Sequence, residues 1–342
     1  MKEILINDLN ESISNLSNYI EYIDSVKSDN DIIEKYLKKK KSSNNIRIFE
    51  YKSLIISMYG ILENTISNWI VEYVSELNTV IPSYTLLPDR IIQQNKKNTI
   101  KILNKIIDNR GSKFDYLDED DLINNLSISI RTPDLYIINN KTFSPDSGNL
   151  KFRIIEESFE NININISREL SKILIVEQYI EKVFGKHSEK QLRNHFSVYV
   201  DDLVTRRNDI AHGNPIDELL DTSIIIEYLK VLHILLEGIY LVLLSKFQSH
   251  NVKYNYIKAE DVIDVFRKGS IVGVKASAVN IKINDTVIVE KSSGIFIEKK
   301  ILGIQKDRAS YSEIVIEESQ IITLNLGNGM SKKDNIYFKK NI

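Results

Sequence analysis

The chain has 342 residues, 42% hydrophobic and 27% charged, with a formal net charge of −2. That length suffices for two ordinary domains, the apolar share argues against wholesale disorder, and the charge balance confines any nucleic-acid contact to a local patch. Cysteine is absent, which excludes thiol catalysis, cysteine-ligated zinc, iron–sulfur clusters and disulfides. The opening carries Ile4, Leu9, Ile13, Leu16, Ile20 and Ile23 at helical spacing and has no basic-then-apolar leader pattern. The basic run Lys38, Lys39, Lys40 and Lys41 reads as a solvated face that could also contact an RNA backbone. Residues 46–77 form a long helix with Leu54, Ile55, Met58, Leu62, Ile66, Trp69, Ile70 and Val74 on one stripe. Pro82 and Pro88 bracket a turn, after which residues 89–107 resume the helical pattern.

Residues 110–148 are polar, contain Pro133 and Pro145, and read as an inserted loop region with short elements. Helical patterns return over 149–160, 167–184 and 188–211, and a last helix runs from 218 to about 247. Its apolar stretch, 231–245, is interrupted by His233 and Glu237 and falls short of a membrane span. The expectation is a soluble, cytoplasmic chain with no membrane partner.

Near residue 255 the period switches. Segments such as Ser270-Ile-Val-Gly-Val, Lys282-Ile-Asn-Asp-Thr-Val-Ile-Val, Glu313-Ile-Val-Ile and Gln320-Ile-Ile-Thr-Leu alternate or run in β-branched residues. Turn residues recur about every ten positions, which predicts a small antiparallel barrel or sandwich. The expected organisation is therefore mainly α over residues 1–252, with an all-β barrel over 258–342.

The sharpest local signal is Val204-Thr-Arg-Arg-Asn-Asp-Ile-Ala-His-Gly-Asn-Pro215. A helix with Phe196, Val200, Leu203 and Val204 on its apolar face ends here, Gly213 suits a left-handed cap, and Pro215 forbids continuation. His212 thus stands at a helix end that favours a cation, with Arg207 five residues earlier. Arginine can hold a phosphate bidentately while a histidine moves a proton, which suits a phosphodiester site. The plainer alternative is a histidine that only caps its helix.

Arg207-Asn208-Asp209-Ile210-Ala211-His212 resembles the Arg-polar-x-x-x-His signature of the HEPN superfamily. The wording Arg-Arg-Asn-Asp-Ile-Ala-His-Gly is similar to its RiboL-PSP and MAE-type nuclease branch. Met58-Tyr59-Gly60-Ile61-Leu62-Glu63 resembles that branch's Tyr-x-x-x-Glu helix. The resemblance implies a helical bundle over about residues 1–250 and a metal-independent, cofactor-free endoribonuclease. It implies that His212 acts as general acid or base and that Arg207 stabilises the phosphorane oxygens. Asn208 would orient the pair, and Glu63 would position His212 or Arg207 unless it is a solvated helix residue. Arg206 would be a phosphate contact or a surface charge. Products would carry a 2′,3′-cyclic phosphate and a 5′-hydroxyl. Members of the superfamily pair as homodimers, and a toxin or phage-defence role, with an antitoxin or trigger protein as partner, follows from the same resemblance. The alternative is a non-catalytic HEPN-type module that binds RNA or protein.

Gly111-Ser112 followed by Asp118-Glu-Asp-Asp121 superficially looks like a nucleotidyltransferase metal site, but the acidic run more simply favours the start of a helix over 122–126. His187, His195, His233 and His250 show no paired spacing with carboxylates, and His233 reads as a satisfied core or interface residue. In the C-terminal region, Ile281-Lys-Ile-Asn-Asp-Thr-Val-Ile-Val, Ile301-Leu-Gly-Ile-Gln305 and Asp334-Asn-Ile-Tyr337 resemble the second domain of elongation factor Tu. Asn284 stands where that domain has glycine. The resemblance implies an RNA-selecting role, with tRNA the candidate target, beside a plain structural one.

Overall fold

A computed structural model describes residues 4–28, 40–108, 113–145, 148–216 and 218–340. Two compact units form, residues 1–75 with 87–240, and residues 76–86 with 241–342. Nine α-helices are present among the described residues: α1 (Ile4–Ser28), α2 (Lys40–Val80), α3 (Asp89–Ile107), α4 (Glu119–Arg131), α5 (Phe152–Glu160), α6 (Ile166–Leu170), α7 (Leu174–Phe184), α8 (Glu189–Ala211) and α9 (Thr222–Asn255). The unit boundaries fall inside α2 and α9.

The stripe expected on the long second helix is the core. Ile55, Met58, Leu62, Ile66, Trp69 and Ile70 of α2 are all fully or almost fully buried, and the Trp69 ring meets Tyr240 at 5.6 Å. Helix α9 is long and apolar enough to cross a membrane by length and composition, yet 61% of that stretch is buried inside the fold. Its His233 is satisfied by Asn10, Nε2 to Oδ1 3.1 Å. His233 also has a carboxylate one turn on, Glu237 at 4.0 Å, so the expectation of no paired carboxylate is corrected.

The pattern over 167–184 divides into α6 and α7. Asn165 caps α6 through the Arg168 amide, and Ile173 turns extended, with φ −85° and ψ 120°, while staying buried. That corner brings Leu170 and Val176 against Gly238 of α9, where a Cβ would lie 2.6 Å from Val176 Cγ2.

The segment expected to be an inserted loop region is built around α4, whose N-terminus Asp118 caps by accepting from the Asp121 amide at 2.9 Å. Phe114 and Leu122 pack with Ile102 in a small core of their own. Asn139, 4% exposed, then ties the segment to α3 and α4. It donates to Thr99 Oγ1 and the Leu122 carbonyl at 2.9 Å each, and its amide donates to Asn95 Oδ1 at 3.1 Å. Buried polar groups satisfied this completely rigidify a segment that lacks a large core.

Eleven strands follow α9: β1 (Tyr256–Lys258), β2 (Asp261–Phe266), β3 (Ile271–Ala276), β4 (Val279–Lys282), β5 (Thr286–Glu290), β6 (Phe296–Lys300), β7 (Gly303–Lys306), β8 (Ala309–Tyr311), β9 (Glu313–Ile316), β10 (Gln320–Asn325) and β11 (Asn335–Lys339). They pair antiparallel in three sheets, β1-β11-β5-β6, β2-β3-β10-β7-β8 and β4-β9. Alternate residues, among them Val272, Val274, Ile304, Ile322, Leu324 and Ile336, fill one core. The expected closed barrel is corrected: the described strands make no continuous ring of pairing. Sharp corners intervene, with Ala278 and Asn284 in the left-handed region at φ 54° and 73°, and a bulge shifts the register between Val262 and Asp264. Asparagine tolerates that conformation, so Asn284 can stand where a glycine was the expected turn residue.

Candidate functional site

Helix α8 begins at a capping box, in which the Ser188 hydroxyl accepts from the Gln191 amide and the Gln191 side chain accepts from the Ser188 amide. Along its length it is pinned to α5. Arg193 makes a two-pronged ion pair with Glu156, at 2.8 and 2.7 Å, and Asp201 Oδ1 accepts the Phe152 amide at 2.8 Å, capping α5 from outside. The helix ends in a Schellman motif. His212 is the C-cap residue, Gly213 follows at φ +72°, the Asn214 amide donates to the Asp209 carbonyl at 2.9 Å, and the Gly213 amide donates to Ile210 at 3.2 Å. The basic-and-histidine end of α8 is therefore a rigid terminus.

At that terminus Arg207 lies over the Tyr59 ring of α2, guanidinium carbon 4.4 Å from the centroid. Its Nη1 donates to the Gly148 carbonyl at 3.1 Å and to Asn208 Oδ1 at 3.0 Å. Asn208 Nδ2 donates in turn to Asn149 Oδ1 at 3.1 Å. The Tyr59 hydroxyl donates to the same Gly148 carbonyl at 2.9 Å. Burial raises the Tyr59 pKa above its usual value, the Leu150 amide lowers it, and Glu63 raises it further. The phenol is thus a neutral donor at physiological pH, held by the Gly148 carbonyl and the Leu150 amide beneath Arg207. Both Nη1 hydrogens of Arg207 are used inward, and its Nε and Nη2 make no hydrogen bond among the described residues. They are the groups left to receive an anion.

His212 is exposed, and its imidazole has no hydrogen-bond or ion-pair partner among the described residues. Glu63 is half-buried, its charge opposes ionisation of the Tyr59 phenol, and it makes no ion pair with Arg207 or His212 among the described residues. Arg206 points elsewhere. Its Nε donates to Asp202 at 2.6 Å, its Nη1 donates to the Tyr51 hydroxyl at 2.9 Å, and Tyr228 donates to the same Asp202 oxygen at 2.6 Å. Burial opposes its charge, but these partners hold the guanidinium protonated. Of the lysine run, Lys38 and Lys39 lie outside the described residues, and Lys40 and Lys41 are described by backbone alone, at the start of α2. Among the described residues no group of three or more His, Asp or Glu side chains converges as a metal site would.

Sequence reasoning missed Tyr59 as a site residue, although Tyr59 lies in the helix that resembles the family's Tyr-x-x-x-Glu helix. It also missed Gly148 and Asn149, which no spacing rule connects to α8. A second polar cluster on α8 was equally hidden: Tyr179 Oη lies 3.0 Å from His195 Nε2, with Glu227 3.4 Å away on α9. Desolvation lowers the His195 pKa while Glu227 raises it, the first effect dominating.

No curated protein matches the chain. Residues 24–245, which contain both Tyr59–Glu63 and Arg207–His212, match the RiboL-PSP-HEPN family. A match over more than half of the chain, on a helical unit that joins those two motifs through the Tyr59–Arg207 contact, identifies it: this chain belongs to the RiboL-PSP-HEPN family.

Proposed function

We propose that the chain is a metal-independent endoribonuclease that acts from the α8 terminus. Membership of the family makes the helical part a nuclease-type or RNA-related module. The finer reading rests on one observation, the held Arg207, whose outward Nε and Nη2 stand on the helix turns that end at the unpaired His212. In this reading Arg207 receives a non-bridging phosphate oxygen and stabilises the crowded phosphorane. His212 removes the proton from the ribose 2′-hydroxyl or delivers one to the leaving 5′-oxygen. The 2′-oxygen bonds to phosphorus as the bond to the 5′-oxygen breaks, giving a 2′,3′-cyclic phosphate and a 5′-hydroxyl. DNA lacks the attacking group and is not cut. Asn208 and Glu63 position Arg207, the first directly and the second through Tyr59.

One imidazole per chain supplies one proton-transfer group, so a homodimer with two α8 termini facing one shared cleft completes the acid–base pair. Toxicity or phage defence by cutting RNA in the cytoplasm, with tRNA as target and an antitoxin or trigger protein as regulator, is the biological setting this chemistry fits. Lys38, Lys39, Lys40 and Lys41 add a backbone-binding patch. Arg206, engaged with Asp202 and Tyr51, serves the fold of α8 first and meets phosphate with its remaining donors.

The test is cleavage of labelled single-stranded RNA. His212→Ala and Arg207→Ala should each lower the rate at least a hundredfold. Thermal unfolding should be nearly unchanged in His212→Ala, whose side chain is exposed and unpartnered among the described residues. Arg207→Ala should lose about 1–2 kcal/mol of stability, because it gives up the Tyr59 and Gly148 contacts. Cleavage should persist in EDTA. Loss of activity on chelation that magnesium restores would overturn the mechanism, and RNA binding without cleavage by the wild type would favour a non-catalytic binding module.

A further inference from the structure

The five-stranded sheet of the C-terminal unit carries a cleft of about 800 Å³ that the nuclease motif does not use. Cross-strand register builds its floor. Phe266 pairs with Ile271, Ile271 with Asn325, and Asn325 with Gly303; in the next row Thr323 pairs with Gln305 and Gln305 with Ser310. Rows two residues apart share one face of a sheet. The opposite face carries the buried Val272, Leu324 and Ile304, so this one is the outer face. Gly303 puts no side chain on it, and a Cβ there would meet nothing nearer than 3.6 Å, so the glycine leaves open floor rather than relieving a clash.

The rim is chemically distinct. Phe266 is 53% exposed on this face; Tyr311, 38% exposed, pairs with Ile304 and so starts from the opposite face, lining the cleft only where the edge strand β8 ends. Next to Phe266, Arg267, Lys268 and Gly269 stand consecutively in the left-handed region, at φ 50°, 56° and 86°. Two non-glycine residues in that conformation are costly, and the Met330 amide bound to the Gly269 carbonyl at 3.1 Å holds the turn in place. The turn presents two cations that make no ion pair or side-chain hydrogen bond among the described residues.

We propose that this cleft binds a short segment of single-stranded RNA. Base faces stack on Phe266 and Tyr311, the amides of Asn325 and Gln305 meet base edges, and Arg267 and Lys268 take the phosphates. An extended peptide fits less well, because the floor strands β3, β10 and β7 are each paired on both sides and offer no backbone edge for strand addition. The proposal rests on the reading above that RNA is what this chain acts on.

The experiment uses the full chain and a fluorescent 2′-O-methyl RNA dodecamer, which has no attacking hydroxyl and stays intact whether or not the protein is a nuclease. Phe266→Ala and Gly303→Val should each weaken binding about tenfold or more, and Arg267→Ala should weaken it with a shallower salt dependence. Gly303 has ordinary backbone angles and room for a side chain, and Phe266 is exposed, so melting temperatures should stay close to wild type. A 4-thiouridine version should photo-crosslink to the wild-type chain within residues 262–325. Crosslinks confined to residues 24–245, or unchanged affinity in the folded variants, would overturn the proposal. So would loss of peptide-array binding in those variants with RNA affinity intact, which would assign the cleft to a peptide. Failure of the nuclease reading would appear as absent cleavage with this binding untouched, so the two failures are distinguishable.

Discussion

Arg207 depends on groups that sequence spacing does not connect to it. It is held by a ring about five turns into another helix and by a carbonyl at the end of the inserted segment, and each hold has a separable cost. A cation over an aromatic face contributes about 0.5–2 kcal/mol depending on desolvation. Tyr59→Leu should therefore slow RNA cleavage about tenfold through misplacement of Arg207. Tyr59→Phe keeps the ring, loses the bond to Gly148, and should cost about 1 kcal/mol of stability with a smaller effect on rate. Equal rates for Tyr59→Leu and wild type would show that the ring does not position Arg207. His195 supplies a pH prediction. Its folded pKa lies below the unfolded value of about 6.5, so folding favours the neutral imidazole and that contribution is fully present above pH about 6.5. It is lost as pH falls through the lowered folded value. The urea midpoint should therefore drop from pH 7 toward pH 5 more in wild type than in His195→Gln, which keeps a polar partner for Tyr179 and cannot titrate.

The α8 terminus and the α6–α7 corner both turn on glycine, for different reasons. Gly213 is left-handed at φ +72° and has open space around it, so Gly213→Ala introduces backbone strain alone, about 1 kcal/mol, and loosens the cap at His212. Its thermal midpoint should fall by a few degrees while cleavage falls more steeply than stability. Gly238 is ordinary helix, but Gly238→Ala drives a methyl into Val176 and Leu170 and should destabilise by about 1–3 kcal/mol, measured by denaturant unfolding. Helix periodicity in the sequence located α2, α3, α8 and α9, because each buries a continuous stripe. It misjudged 167–184 as one helix, because Ile166, Leu170, Ile173 and Val176 stay buried on both sides of the break and keep the apolar period running through it. The short strands β7 and β8 were equally hard to read. Residues 309–311 are all exposed, so no alternation marks them.

Across the whole molecule, the division into compact units does not follow the change of period near residue 255. Residues 76–86 belong with 241–342, so the C-terminal part of α9 from residue 241 lies in the second unit. A fragment of residues 1–255 keeps α9 whole and should unfold cooperatively. One of residues 1–240 leaves 76–86 without their partners and should not; a cooperative transition from the shorter fragment, seen by calorimetry, would contradict this. The full chain should sediment as a dimer at micromolar concentration, and a monomer that still cleaves RNA would contradict the shared-cleft arrangement.

The sequence by itself determined the helical class, the switch to β structure, the end of α8 at His212 and the motif that carries the family. Those features are local: they depend on a 3.6- or two-residue period, on a glycine that can turn left-handed and on a proline that cannot continue a helix. Tertiary structure alone decided that Tyr59 lies beneath Arg207, that Gly148 accepts from both, that Arg206 turns toward Tyr51 and Asp202, and that the β strands leave a cleft instead of closing into a barrel. The contacts that hold the two arginines join residues far apart in the chain, 59 positions between Gly148 and Arg207 and 155 between Tyr51 and Arg206. No local propensity encodes such pairs, because packing of the assembled helices sets which side chains come within hydrogen-bonding reach.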